Sequence, residues 1–320
     1  MHNSKMDHCS YFIRNRALFG NYPTQEGVYE LERAGVRYFI NLTLDGEKRI
    51  HPYRVSPSSK IIRFPIKDHS VPKCWNTFSR FIVRLGNIIG SIPNGHLLFV
   101  HCRGGHGRAA LVVAALLAYI FKVTPEAALQ WTARFHAKRP AMRAKWRAIG
   151  APHQCKQRSF VFRLFEPLKM YRMSYSSSRF GNGFSRQSKH PFSVDTGDGK
   201  SAVFSCIDTA LVYKKFPAFE KECVKCKTED VNMLLKKVKR LPSPNGWTSK
   251  RENVLIELFK MKMKAYPYIR SQLANTGFRD IQLLAKGNSK WIDGTGDNVT
   301  GNVLMIIREE IHSTPVVNAV

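Results

Sequence analysis

The apolar run Leu97-Leu98-Phe99-Val100 passes directly into His101-Cys102-Arg103-Gly104-Gly105-His106-Gly107-Arg108, and a second apolar run, Ala109 to Phe121, follows at once. No other stretch restricts the fold so tightly. A short apolar run without alternation is the pattern of a strand buried on both faces of a sheet. The second run falls short of the roughly 20 residues that span a bilayer, so it reads as a helix buried on all sides. Between them, glycines at 104, 105 and 107 permit a tight strand-to-helix turn with close backbone approach. A turn of this kind collects backbone N–H groups at a helix N-terminus, where the helix dipole adds partial positive charge. The product is a cradle for an anion.

The rest of the first half fits around that unit. Val36 to Leu42 reads as a strand preceded by a helix that stops at Gly35, and Lys60 to Phe64 as a strand stopped by Pro65. Trp75 to Ile89 places apolar residues at 75, 78, 81, 82, 85, 88 and 89, one face of a helix. Thr124-Pro125-Glu126 is a helix start, with a capping hydroxyl followed by proline. The expectation is an α/β domain over residues 1–166, with a central, mostly parallel sheet flanked by helices and a phosphate-binding loop at a strand end. Residues 167–190, rich in Ser, Arg, Tyr and Gly, read as a flexible basic linker. Residues 191–320 read as a second, mainly helical α+β domain, with helical stretches near 231–238 and 251–265 and a last apolar segment at 303–307. No internal repeat relates the halves.

Charge narrows the partners. Lys and Arg number 51 against 23 Asp and Glu, a net charge of +28 spread over both halves of the 320 residues. An excess of this size points to anionic partners and excludes nothing about fold. The seven cysteines are odd in number and lack the spacing of a disulfide framework, and the first seven residues lack the apolar core of a signal peptide. Free thiols in an intracellular, cytoplasmic setting are expected, with no membrane span. Cys223 and Cys226 form a lone Cys-x-x-Cys pair without two further ligands at zinc spacing, so no metal or cofactor is implied. The runs 236–240 and 260–264 are solvated helix faces or a nucleic-acid patch.

The chemistry follows from the cradle. The donors that would hold a phosphate also favour Cys102 as a thiolate, because helix N-termini and nearby cations lower thiol pKa. Arg108 adds a bidentate guanidinium, and the backbone of Arg103, Gly104, Gly105, His106 and Gly107 supplies N–H groups. Attack of Cys102 on phosphorus then needs an acid for the leaving oxygen. Asp68, in the proline-bounded loop Phe64 to Pro72, is the candidate; the alternative is that it only caps the following helix. Asp45 is the competing acid, in the turn Leu44-Asp45-Gly46. His106 either tunes the cradle's field or occupies a variable position.

With these residues in view, the segment from Tyr11 to about Glu166 resembles the dual-specificity subgroup of the cysteine-dependent protein tyrosine phosphatases. The matching features are Gly20-Asn21-Tyr22-Pro23, Ile40-Asn41-Leu42, Phe64-Pro65-Ile66-Lys67-Asp68, the His-Cys-(five residues)-Arg loop and Gln157-Arg158-Ser159-Phe160-Val161. The resemblance implies Cys102 as nucleophile, Arg108 as phosphate ligand, residues 103–107 as cradle, Asp68 as general acid and His101 as the supporting histidine. It implies phosphorylated proteins as partners, with hydrolysis of phosphotyrosine and phosphoserine/threonine esters through a phosphocysteine. The alternatives are an RNA 5′-triphosphatase of the same fold, which the charge suits, and a catalytically weak protein that binds phosphate or nucleic acid. One position departs from the family. Ala109 stands where Ser or Thr usually helps the thiolate leave, so phosphoenzyme breakdown is expected to be slow.

Residues 191–320 resemble the NADAR family of N-glycosidases, through Trp247, Leu273 to Gly277, Trp291, Asn298, Gly301 and Leu304 to Glu309. Where that family has Glu-His this chain has Asp208-Thr209, and Asn288 replaces an acid. The resemblance implies a retained fold without the acid/base groups a glycosidase needs, acting as a ligand-binding or docking module. The plainer reading makes Trp247 and Trp291 core aromatics. Oligomeric state is not written in the sequence.

Overall fold

The structure, a computed structural model, describes residues 5–171, 181–197, 199–284 and 298–314. Two compact units, 1–166 and 167–320, make up the chain.

In the first unit the elements are β1 (Cys9–Ile13), β2 (Ala17–Gly20), α1 (Gln25–Arg33), β3 (Val36–Asn41), β4 (Lys60–Arg63), α2 (Trp75–Ser91), β5 (Leu97–His101), α3 (Arg108–Phe121), α4 (Pro125–Ala137), α5 (Ala144–Ile149) and α6 (Cys155–Phe165). The five strands lie in the order β1-β2-β5-β3-β4. β5 is parallel to both β2 and β3, β4 is parallel to β3, and only the edge strand β1 runs antiparallel. All five residues of β5 are buried, as its unbroken apolar run requires. The edge strand β4 buries only Ile62.

Helix α3 is buried from Arg108 to Ala118 and packs against α2, α4 and α6 as well as β5. A helix enclosed on all sides has no polar face to spare, which accounts for its lack of a charged side chain after Arg108. Its neighbours begin where local chemistry allows. Thr24 and Thr124 each cap a helix, their hydroxyls accepting from the N–H of Gly27 at 3.2 Å and of Ala127 at 3.3 Å. Gly35, at φ +104°, ends the α1 turn where a Cβ would lie 2.1 Å from the Gly95 carbonyl oxygen, so only glycine fits. The sheet and its helices carry the loops after β3, β4 and β5 to the same edge.

The second unit contains β6 (Leu168–Tyr171), α7 (Gly181–Phe184), β7 (Phe192–Gly197), β8 (Lys200–Phe204), α8 (Ile207–Lys215), α9 (Glu220–Lys225), α10 (Val231–Lys239), α11 (Trp247–Ala265), α12 (Pro267–Ala274), β9 (Ile281–Leu284) and α13 (Val299–Ser313). Its core gathers Phe204, Leu258, Phe259, Leu273, Leu304 and their neighbours. The helix-rich α+β character agrees with expectation. The flexible linker expected over 167–190 does not hold in its described parts. β6 pairs in parallel with β9, more than a hundred residues further on. Phe184, Ser188 and His190 are buried, and the Lys262 ammonium donates to the carbonyls of Gly183 at 2.7 Å and Ser185 at 3.2 Å. These partners are remote in sequence, so local composition carried no sign of them. Residues 172–180 lie outside the described residues. Among the described residues no helix is long and apolar enough to cross a membrane.

Candidate active site

Cys102 follows the end of β5 and is buried, and residues 103–107 arch from it to the first turn of α3. The arch is held from outside through its carbonyls. Arg103 accepts from the Tyr22 N–H at 3.1 Å, His106 from the His153 N–H at 3.3 Å, and Gly107 from the Leu111 N–H at 2.8 Å. The Gly105 carbonyl accepts from the Arg139 guanidinium at 3.0 Å. With the oxygens anchored in this way, the N–H groups of Arg103 to Gly107 have no acceptor among the described residues. Unsatisfied donors in an arc at a helix N-terminus form an oxyanion cradle. Gly105, at φ +72°, lies so close to the Gly20 backbone that a Cβ would approach it to 2.4 Å.

Arg108 is 1% exposed, and its guanidinium is fixed from two sides. Nη1 donates to the Ile66 carbonyl at 2.9 Å and to Glu47 Oε1, while Nη2 donates to Glu47 Oε2 at 3.0 Å. Asp68 Oδ1 lies 3.0 Å from the same Nη2, and Asp68 Oδ2 lies 2.7 Å from Arg103 Nη2. The Arg108 Nε has no hydrogen-bond partner. Nε is thus open among the described residues, while Nη2 is divided between Glu47 Oε2 and Asp68 Oδ1. Burial alone would lower the Arg108 pKa, but the Glu47 hydrogen bonds and the negative charges of Cys102, Asp68 and Glu47 outweigh it and raise the value. The same accounting puts the Cys102 sulfur within electrostatic reach of Arg108 and of buried Arg139.

The structure brings Cys102, Arg108, Asp68 and the 103–107 arch together. Asp45, the competing acid, is exposed and paired with Arg63. Asp68 is positioned by its loop. Ile66 N–H donates to the Leu42 carbonyl at 3.0 Å, Ser70 carbonyl accepts from Gln157 Nε2 at 3.0 Å, and His69 adopts a left-handed φ of +57°. Glu47 was missed. Its sequence neighbourhood reads as a surface turn, and only the tertiary fold places it on an arginine 61 residues away.

Behind the arch, His101 Nε2 and the Tyr53 hydroxyl share a 2.7 Å hydrogen bond in the core. Burial pushes the His101 pKa down to about 3, so the ring is neutral near pH 7. His106 stacks on Trp146 with centroids 4.5 Å apart, and its Nδ1 lies 2.8 Å from His136 Nε2. Burial, then the Arg139 charge, lowers His106 to about 4 and His136 to about 3. His106 is therefore a packed wall of the loop and not a freely variable position.

In the second unit the residues behind the second resemblance are engaged in packing. Asp208 is buried against Arg186 Nε at 2.9 Å and Gln187 Nε2 at 2.9 Å. The Thr276 hydroxyl accepts from Arg308 Nη1 at 2.8 Å, and a Cβ on Gly301 would lie 2.2 Å from the Ile281 carbonyl oxygen. Trp247 is half-buried beneath the Lys215 ammonium and is not a core aromatic. Asn288 and Trp291 lie outside the described residues.

A strand that ends in a cysteine, an arch of amides without acceptors and a clamped arginine together form a site that a phosphoryl group can enter. Residues 8–161 match the family described as "PTP-SAK: Swiss Army Knife protein, DSP-PTPase phosphatase domain". Two viral proteins share the stretch. "Putative tyrosine phosphatase 197R" of Invertebrate iridescent virus 6 is 43% identical over 142 residues, covering 42% of this chain and 53% of the relative. "Putative tyrosine phosphatase 067L" of Invertebrate iridescent virus 3 is 34% identical over 162 residues, covering 50% of this chain and 66% of the relative. The chain therefore spans about half the length of the first relative and just under two thirds of the second. Among solved structures, Tk-PTP in the active form is 19% identical, covering 46% of this chain and 93% of that chain, with a TM-score of 0.35.

Proposed function

We propose that the chain is a protein phosphatase that hydrolyses phosphotyrosine and phosphoserine/threonine esters through a phosphocysteine intermediate. The observation that carries this reading is the arc of acceptor-free N–H groups from Arg103 to Gly107 between a buried cysteine and a carboxylate-clamped arginine. The Cys102 thiolate attacks phosphorus in line with the leaving oxygen. As the S–P bond forms and the P–O bond breaks, negative charge on the equatorial oxygens is met by the amides and by Arg108 Nε and Nη2. Once phosphate has displaced Asp68 from the guanidinium, its carboxyl, protonated from solvent, gives the leaving oxygen a proton. Water then attacks the phosphocysteine, its proton passing to the Asp68 carboxylate, and the S–P bond breaks to release inorganic phosphate and the thiolate. The two relatives named as tyrosine phosphatases favour this reading over the alternatives.

The test uses para-nitrophenyl phosphate, phosphotyrosine and phosphoserine peptides and triphosphate-ended RNA side by side. Cys102→Ser is expected to abolish all turnover. Asp68→Asn is expected to lower kcat on phosphoserine peptides by about 10²–10⁴-fold, and much less on para-nitrophenyl phosphate, whose leaving group needs no acid. Turnover of RNA ends far above that of any phosphopeptide would replace this reading with the triphosphatase. Equal inactivity of native protein and Cys102→Ser would replace it with a binding role.

A further inference from the structure

The end of α4 grips the arch at two consecutive residues. Arg139 donates to the Gly105 carbonyl, and three residues earlier His136 Nε2 meets His106 Nδ1 at 2.8 Å. His136 is fully buried and touches no reacting atom. The helix end that carries it is itself pinned. Arg147 of α5 donates to the Ala137 carbonyl and, through Nη2, to the Arg139 carbonyl at 3.0 Å, a cation placed where the last carbonyls of a helix want one. Trp146, next to Arg147, stacks on His106 at an interplanar angle of 14°, while His136 meets the same ring edge-on at 81°. The Cδ2 side of the His106 ring lies over Gly104, where a Cβ would come within 2.9 Å of it, so glycine at 104 is what lets the ring lie there.

A hydrogen bond between two neutral imidazoles contains one proton, and the surroundings decide which ring owns it. His136 Nδ1 is buried and has no hydrogen-bond partner among the described residues. The positive charges of Arg139 and Arg147 both act on this ring, and they favour a bare lone pair over an N–H at an atom with no acceptor. The shared proton therefore belongs to His136 Nε2, which donates to His106 Nδ1. His106 then carries its own proton on Nε2.

We propose that His136 is a positioning residue for phosphoryl transfer, which sets the tautomer and ring plane of His106 and so the place of that residue's main-chain N–H in the cradle. The inference deepens the phosphatase reading and rests on it. The peptide unit from Gly105 to His106 is the one the arch can least leave loose. Gly105 precedes it at φ +72°, its oxygen is the one on Arg139, and its N–H is among the acceptor-free donors. With that oxygen and the following side chain both held from α4, the N–H is preorganised for charge that develops on the phosphoryl oxygens.

The experiment uses the full chain and three substitutions. His136→Leu keeps bulk without a polar atom, His136→Gln puts an amide nitrogen near the place of the imidazole Nε2, and His106→Leu leaves the main-chain N–H in the arch. Steady-state kinetics on para-nitrophenyl phosphate are read beside inhibition by orthovanadate, which mimics the five-coordinate transition state. His136→Leu is expected to lower kcat by about tenfold and to weaken vanadate by a similar factor with KM nearly unchanged, the equivalent of one hydrogen bond. His136→Gln is expected to recover most of that loss. In the His106→Leu background, adding His136→Leu should cost nothing further, because the residue acts through that ring. Nitrogen-15 NMR of the parent should show both rings protonated on Nε2. A parent His136 protonated on Nδ1, unchanged kinetics in His136→Leu, a glutamine variant no better than leucine, or a full second loss in the His106→Leu background each overturns the proposal. If His136→Leu does not fold, the parent tautomers and a tenfold loss in His106→Leu alone decide it. Failure of the phosphatase reading looks different: the parent then shows no Cys102-dependent turnover while its ring tautomers stay as stated.

Discussion

Glu47 offers the sharpest test of how the site is built. Its carboxylate meets both terminal nitrogens of Arg108, whose side chain is 1% exposed against 11% for Glu47. Removing one member of a buried ion pair typically costs about 3–5 kcal/mol, because the surviving charge is left uncompensated. Asp68 and the Ile66 carbonyl still contact the guanidinium, so the cost for Glu47→Ala falls just below that range, about 2–3 kcal/mol. In a unit of this size that lowers the melting temperature by roughly 4–12 °C. Loss of orientation at Arg108 is expected to lower kcat/KM by about 10–100-fold, or roughly 1.4–2.8 kcal/mol of transition-state stabilisation. Phosphate should protect the variant more than the parent, since the anion then supplies the missing countercharge. The assays are thermal melts with and without phosphate and steady-state kinetics on para-nitrophenyl phosphate. Asp45→Ala, which alters an exposed carboxylate two residues away, serves as the control and should leave both unchanged. If Glu47→Ala melts with the parent and keeps its kcat/KM, the clamp does not exist as described.

Three further outcomes are expected. Rapid mixing should show a burst of product followed by a slow phase, and Ala109→Ser should speed the slow phase; a parent with no slow phase refutes the role assigned to the missing hydroxyl. Stability of the first unit should fall as pH drops from about 6.5 toward 4, because His101, His106 and His136 have folded pKa values near 3 to 4, below the unfolded value, so the unfolded chain takes up more protons. For fully buried His101 alone the slope is about 1.4 kcal/mol per pH unit, measured by urea unfolding, and a flat profile contradicts the buried neutral rings. Gly105→Ala should abolish phosphate protection in a melt, since its Cβ would press on the Gly20 backbone at a left-handed φ; retained protection means the arch can relax.

What could be read from the sequence was what is local. The cradle spans seven consecutive residues between two apolar runs, so strand, turn and helix were legible together. α2, β3 and the Thr124 cap were legible for the same reason, each carried by its own periodicity or capping chemistry. Asp68 was legible as a candidate because a proline-bounded loop follows a strand. Glu47 was not, because its neighbours in sequence look like any exposed turn and its partner, Arg108, lies 61 residues further on. Arg139 was hidden in the same way, its guanidinium set over the Phe19 ring at 4.3 Å. β6 failed to register because, among the described residues, its hydrogen-bonding strand is the distant β9. Short edge elements such as β1 carry too few residues for a pattern to stand out.

The resting contact between Asp68 and Arg108 has a bearing on turnover. On the proposed mechanism, orthophosphate leaving the arch gives up its place at Nη2 to the Asp68 carboxylate, while Glu47 stays on the guanidinium throughout. Departure on that mechanism is an exchange of one counterion for another, so the group proposed as proton donor also helps to expel the product.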